Sequence, residues 1–191
     1  MARLILILGL ALWASAHLFR AVAPGPRAVL DERFGPGSKG LFALAIFGSL
    51  IVIWLGYRAT PFVSVWTPPS FFTHINNLMM LVAFYMYLTT ATKPGTAFIF
   101  GNLKNPQLSG FKVWAAAHLL VNGDLAAILL FVGLAAWAVA EVIAAKHSSA
   151  EPLVNRASAP ISSPWVHLAL AVAAFALVSA LHIWLGRWPF G

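Results

Sequence analysis

From Gln107 to Glu141 the chain passes through 35 residues in which only Lys112 and Asp124 carry formal charge before the closing glutamate. A soluble domain, with about 25% charged residues, cannot easily place such a run. As one unbroken helix it would measure about 50 Å at 1.5 Å per residue. A bilayer's hydrocarbon core is only about 30 Å thick. The segment must therefore tilt, protrude or kink, and Asn122-Gly123-Asp124 is the expected place for a kink. It opens as helices open: Asn105 suits an N-cap, and Pro106 suits the first helical position, where its missing N–H costs nothing. At 100° per residue, Phe111, Trp114, His118, Asn122 and Leu125 share one face. Polar groups at membrane depth are costly and normally face a protein interior, a cavity or a cofactor. Asn122 and Asp124 have a second reading, as caps of a helix break.

The whole chain shares this character. Its 191 residues are 61% hydrophobic and 9% charged, with a formal net charge of +7. These values predict an all-α integral membrane bundle of about five transmembrane helices, a single domain over residues 1–191. The positive charge sits in short loops between apolar spans, so it sets orientation in the bilayer. No aromatic-interleaved basic patch supports nucleic-acid binding. With no cysteine, disulfides, thiolate ligation and a Cys nucleophile are excluded. Only five carboxylates exist, Asp31, Glu32, Asp124, Glu141 and Glu151, and four lie in loops or at span ends. A buried carboxylate pair for acid–base work is not expected, and the ionisable chemistry falls to histidines.

Taken in order, the first span covers about Leu4 to Ala23. Ala14-Ser15-Ala16 imitates a signal-peptide cleavage site, but the apolar run continues past it, so it reads as a span. His17 and Arg20, three apart, share a face of it. Residues 24–40 are a Pro/Gly-rich charged loop whose AVLDERFG could form a short interfacial helix. A second span, roughly Gly40 to Tyr57, has no charge and no histidine after its start. A third, about Ser70 to Thr92, carries His74, Asn76 and Asn77 near its beginning. After the long fourth run, residues 142–163 read as a polar linker with His147 in solvent. The fifth span, Pro164 to about Gly186, has His167 near its start and His182 near its end, followed by an interfacial Arg187-Trp188-Pro189-Phe190 tail.

Five crossings put the termini on opposite sides. The N-terminal side would hold four basic residues and the other eight, so the positive-inside rule places the N-terminus outside and the C-terminus in the cytoplasm. This counting puts His17, His118 and His182 in one layer toward the cytoplasmic side. His74 and His167 fall near the other surface. Two imidazoles at similar depth on different helices suit a metal, and a helical bundle can hold a haem between facing histidines. His17 and His118 are then the metal ligands, with Asn122, Trp114 and His182 around the cofactor. Arg20 and Lys112 are placed to meet haem propionates; as plain surface charges they serve orientation. No Walker loop, GxGxxG, HExxH or Ser/His/Asp constellation is present.

The string NPQLSGFKVWAAAHLLVNGDLAAILLF resembles the signature of the NnrU family. So do AHLFRA at 16–21, GYRA at 56–59 and VWTPP at 65–69. The resemblance is strongest over 5–141. It implies a five- or six-span membrane protein, in all expectation of the bacterial inner membrane, associated with denitrification and nitric-oxide metabolism. The family resembles the plant 15-cis-zeta-carotene isomerase, which binds haem b through histidines. Carried over by position, its ligands look like His17 and His118. Two departures stand out: Asn105 replaces the usual His before Pro106, and Ala115 stands where the plant isomerases have Cys. The resemblance thus implies a haem b protein accessory to nitric-oxide metabolism. Its alternatives are a haem-dependent cis–trans isomerase of a carotenoid-like polyene and a structural membrane partner without a cofactor. The implied partners are the lipid bilayer, an apolar small molecule or nitric oxide, and a further membrane protein.

Overall fold

The computed structural model describes residues 1–147 and 158–190. Its regular elements are helices: α1 (Ala2–Val22), α2 (Pro24–Phe34), α3 (Gly37–Ala59), α4 (Phe72–Leu88), α5 (Pro106–Val121), α6 (Leu125–His147) and α7 (Pro164–Trp184). A 3₁₀ turn, Thr89–Ala91, extends α4. Among the described residues four helices, α1, α3, α6 and α7, are long and apolar enough to cross a membrane. Large apolar side chains stand outward on them: Leu44 is 69% exposed, Phe47 62% and Leu177 72%. Water would penalise those surfaces, and lipid does not. The protein is an all-α integral membrane bundle.

The long fourth run is corrected in one respect. It is two helices, because α5 ends at Val121 and α6 begins at Leu125. The predicted kink is a full break, so the face drawn through Asn122 and Leu125 ends at His118. Two further expectations change. The proposed short helix after the first span is real but longer, covering Pro24–Phe34. The polar linker shrinks at both ends, since α6 runs to His147 and Ile161 pairs with the chain at 91–93; residues 148–157 lie outside the described residues.

The described residues form two compact units. The first comprises Met1–Trp66 and the described residues from Gly123 to His147, that is α1, α2, α3 and α6. Here α1 and α3 pack antiparallel with backbones almost touching. A Cβ on Gly9 would lie 2.7 Å from the Ile53 nitrogen, and one on Gly56 would overlap the backbone of Leu6. Lipid tails give helices no hydrophobic drive to associate, so small residues that permit such approach supply the contact. Leu6, Ile53 and Ala126 form the buried centre, flanked by Leu10, Trp13, Tyr57 and Leu129. At the far end of α1, Arg27 pairs with Asp31 at 3.0 Å, and Asp31 accepts from the buried Ser38 hydroxyl, tying α2 to the start of α3.

The start of α6 docks on the chain just past α3. The Gly123 carbonyl accepts from the Val65 and Trp66 N–H groups at 2.8 and 3.1 Å, and Leu125 N–H donates to the Val63 carbonyl at 2.9 Å. A Cβ at 123 would collide with the Trp66 carbonyl. Asp124 caps α6, its Oδ1 accepting from Ala127 N–H at 3.0 Å, which satisfies an otherwise orphaned donor. From there α6 runs parallel to α1: Gly133 meets Leu10, and Trp137 meets Trp13 and His17.

The second unit comprises α4, α5 and α7 with the described residues around them. Gly110 of α5 lies against α4, where a Cβ would come 2.6 Å from the Ala83 carbonyl and 3.0 Å from Tyr87 N. Both α5 and α7 run antiparallel to α4. Trp114 and Met80 share one cavity wall, Tyr85 meets His167, and Asn77 bonds the Pro189 carbonyl beyond α7.

Because Gly56 meets backbone, its neighbours cannot yield as a flexible side chain would. Gly56→Ala should destabilise the protein by about 1–3 kcal/mol. Gly48→Ala, with nothing near its Cβ, should be neutral. Thermal unfolding in detergent of both variants checks the contrast.

Candidate functional site

Three membrane histidines are held the same way. The His17 Nδ1 lies 2.9 Å from the Trp13 carbonyl, the His118 Nδ1 3.0 Å from the Trp114 carbonyl, and the His182 Nδ1 2.8 Å from the Val178 carbonyl. A carbonyl can only accept, so each Nδ1 carries the proton. In its neutral form a ring held this way has its lone pair on Nε2. This is how metal-binding histidines are commonly oriented, with the second nitrogen donating to a backbone carbonyl.

In the first unit His17 sits among indoles. Its ring centroid is 4.2 Å from Trp13 and 4.7 Å from Trp137, and those two indoles meet edge-on at 5.1 Å. The Trp13 Nε1 is buried without a hydrogen-bond partner. Arg20 lies in the last turn of α1 and is exposed.

In the second unit His118 is half-buried near the C-terminal end of α5, its ring 5.0 Å from Trp114. Since α5 and α7 both run against α4, His118 and His182 lie toward the end where α4 begins. Asn122 caps α5: its Nδ2 donates to the His118 carbonyl at 2.8 Å, so that N–H serves the backbone and not the ring. Lys112 is half-buried in the middle of α5. Ala115 is fully buried. Asn105 is the N-cap residue of α5, yet its side chain makes no capping bond, and Pro106 follows it.

The common layer of His17, His118 and His182 rested on an unbroken helix over 107–141. The break at 122–124 removes that premise. His17 belongs to one unit, His118 and His182 to the other.

His167 differs from the expectation of an interfacial residue. It is fully buried. Its Nε2 donates to the Tyr85 carbonyl at 2.9 Å, its Nδ1 pairs with the Thr92 hydroxyl at 2.9 Å, and its ring stacks on Tyr85 at 4.1 Å. With both nitrogens engaged, it fastens α7 to α4. Nothing local in the sequence marks this, because its partners lie 75 and 82 positions earlier. His74 and His147 are exposed. Among the described residues no group of three or more His, Asp or Glu side chains is arranged to hold a metal ion, so an iron held by one or two imidazoles needs a macrocycle for its remaining ligands.

A cavity of about 230 Å³ lies between α4 and α5, lined by Met80, Ala83, Phe84, Tyr87, Gly110, Phe111 and Trp114. Its wall is almost wholly apolar and it ends one helical turn before His118.

A family sequence model described as NnrU protein matches residues 5–189. No curated protein and no solved structure matches the chain.

His167→Phe keeps the ring volume but removes the two hydrogen bonds that tie α7 to Tyr85 and Thr92, which retain their bonds to the Thr89 hydroxyl and the Leu88 carbonyl. A buried hydrogen bond contributes about 0.5–1.5 kcal/mol. The variant should unfold at markedly lower temperature, while His74→Phe should not. Equal melting of the two variants would contradict the fastening role.

Proposed function

The chain belongs to the NnrU family, and on that footing we propose a haem b-binding protein of the bacterial inner membrane, accessory to denitrification and nitric-oxide metabolism. The observation that carries this reading is the shared tautomer of His17, His118 and His182. Each backbone carbonyl orients a ring so that Nε2 bears the lone pair an iron needs. His118 and His17 are each proposed as an iron ligand, one in each unit, being also the positions that the family resemblance singles out. Trp114 is the neighbour of His118, and His182 is proposed beside the cofactor. Arg20 and Lys112 are the cations proposed to meet propionates. Haem b, when bound, supplies an iron that takes nitric oxide or passes an electron. The chain's own part is to set ring orientation and to keep the surroundings apolar.

The alternative, cis–trans isomerisation of a carotenoid-like polyene, draws support from the apolar cavity that ends near His118. It is weakened by Ala115, which offers no thiol, and by Asn105, which offers no imidazole.

Haem should be visible directly. Protein made with haem supplementation should show a Soret band. His118→Ala and His17→Ala should each lower occupancy or convert a low-spin spectrum to high-spin. A protein without any Soret band would leave a structural membrane partner as the function. Turnover of a 15-cis polyene that vanishes in His118→Ala would put the isomerase first.

We also propose a revised orientation. Placing the C-terminus opposite the N-terminus assumed one crossing over 107–141. The start of α6 is hydrogen-bonded beside the end of α3, so the chain between Ala59 and Leu125 crosses an even number of times. With α1, α3, α6 and α7 as spans, the total is even and both termini share a side. If α4 and α5 cross as a pair, Arg3, Arg58 and Arg187 fall on the terminal side. Arg20, Arg27, Arg33, Lys39, Lys93, Lys104, Lys112 and Lys146 fall on the other. The positive-inside rule then keeps the N-terminus outside and moves the C-terminus there with it. Cysteines introduced at Lys39 and at Phe190 should label from opposite sides, Phe190 from outside. Labelling of Phe190→Cys only from the cytoplasm would restore the opposite-side arrangement.

A further inference from the structure

The chain that joins α4 to α5 forms a cup of its own. It turns twice, the Thr96 N–H donating to the Lys93 carbonyl at 3.1 Å and the Leu103 N–H to the Phe100 carbonyl at 3.2 Å. Around these turns lies an open cavity of about 420 Å³, lined by Gly95 and residues 97–103. The cavity between α4 and α5 is almost wholly apolar, whereas the wall of this one is more polar than apolar. Asn102 brings the one polar side chain of that wall, so main-chain groups supply the rest. Phe100 holds φ at 60°, while Gly101 beside it keeps φ negative. A bulky aromatic residue in the left-handed region is a genuine outlier, and such residues gather at ligand clamps. A left-handed residue beside right-handed ones turns successive N–H groups to one side, the arrangement that receives anions.

Charge points the same way. Lys104 adjoins the wall at Leu103, and Lys93 stands two residues before Gly95; both lysines are exposed. The described residues of the second unit contain no aspartate and no glutamate. These two ammonium groups therefore have no carboxylate there to pair with. The lip of the cup is apolar. Phe98 and Ile99 are exposed, and the Phe98 ring meets the exposed Trp165 of α7 at 5.0 Å. Lysines beside exposed aromatic side chains suit the level at which headgroups give way to acyl chains.

We propose that this loop binds the phosphate of an anionic phospholipid headgroup, held by Lys93, Lys104 and the polar wall, with the acyl chains against Phe98, Ile99 and Trp165. A zwitterionic headgroup carries its own ammonium, which offsets the phosphate charge and weakens its pull on the lysines. A free phosphate would meet the two cations and leave the apolar lip uncovered. The site relies neither on haem nor on the orientation of the chain in the bilayer.

The test uses the full chain in phosphatidylcholine nanodiscs. The chain has no native cysteine, so a bimane label can be placed alone on Gln107→Cys, exposed in the first turn of α5 and outside the cavity wall. The probes are spin-labelled phosphatidylglycerol and spin-labelled phosphatidylcholine with the same acyl chains, each added at a small mole fraction. Phosphatidylglycerol should quench the label at a mole fraction about fivefold lower than phosphatidylcholine does. Lys93→Gln with Lys104→Gln should bring the two lipids level. A label on Leu44→Cys, exposed on α3, should not tell them apart. Equal quenching at Gln107→Cys by the two lipids, or quenching by neither, overturns the proposal. A preference that persists in the folded double variant overturns it too. Loss of the preference on adding millimolar inorganic phosphate would make the loop a site for free phosphate and sink the lipid assignment. The comparison of the two lipids with both lysines in place decides the matter even where the double variant fails to fold.

Discussion

The carbonyl of Gly123, accepting from two successive backbone N–H groups at Val65 and Trp66, is the interaction on which the first unit depends. A membrane chain cannot leave backbone polar groups bare at depth. Once α5 ends, the unpaired groups around 122–124 must find partners, and they find them in residues 63–66. Asp124 then starts α6 with a side-chain cap. The close approach requires glycine, because any side chain there would collide with Trp66. This docking decides where α6 begins, and so its direction beside α1 and α3.

Much of this was legible beforehand and the limits have physical causes. Apolar runs locate helices in a membrane protein because the bilayer demands length and apolarity together. The spans therefore lie near where composition puts them. Asn122-Gly123-Asp124 was legible as a weak point, since its residues favour caps and close approach. That it is a complete break was not legible. Its partners are backbone groups of Val63, Val65 and Trp66, about sixty residues away, and backbone groups leave no trace in residue type. His167 was misplaced for a related reason. Its position in the first turn of α7 suggests an interface, but its burial comes from α4, through Tyr85 and Thr92.

The histidines show which part of a site local sequence can carry. The bond from Nδ1–H to the carbonyl four residues back is made inside one helix, and it recurs in α1, α5 and α7. It prepares a ring for ligation wherever the helix places it. Such a bond also satisfies a histidine packed among aromatic rings, and His17 lies between two indoles. Ring orientation is therefore a condition for binding iron, and the spectroscopy of a haem-loaded protein bears on the rest.

The central claim is that α6 starts beside the end of α3 and runs parallel to α1. The chain has no native cysteine, so paired spin labels can be placed without background at Leu4 and Lys146, both exposed. Double electron–electron resonance then reads one distance within the first unit. A parallel α6 of 23 residues puts the labels about 30 Å or more apart, at 1.5 Å rise per residue. A population centred well below that separation would mean that α6 runs back toward the N-terminus, and the account of the break would be wrong.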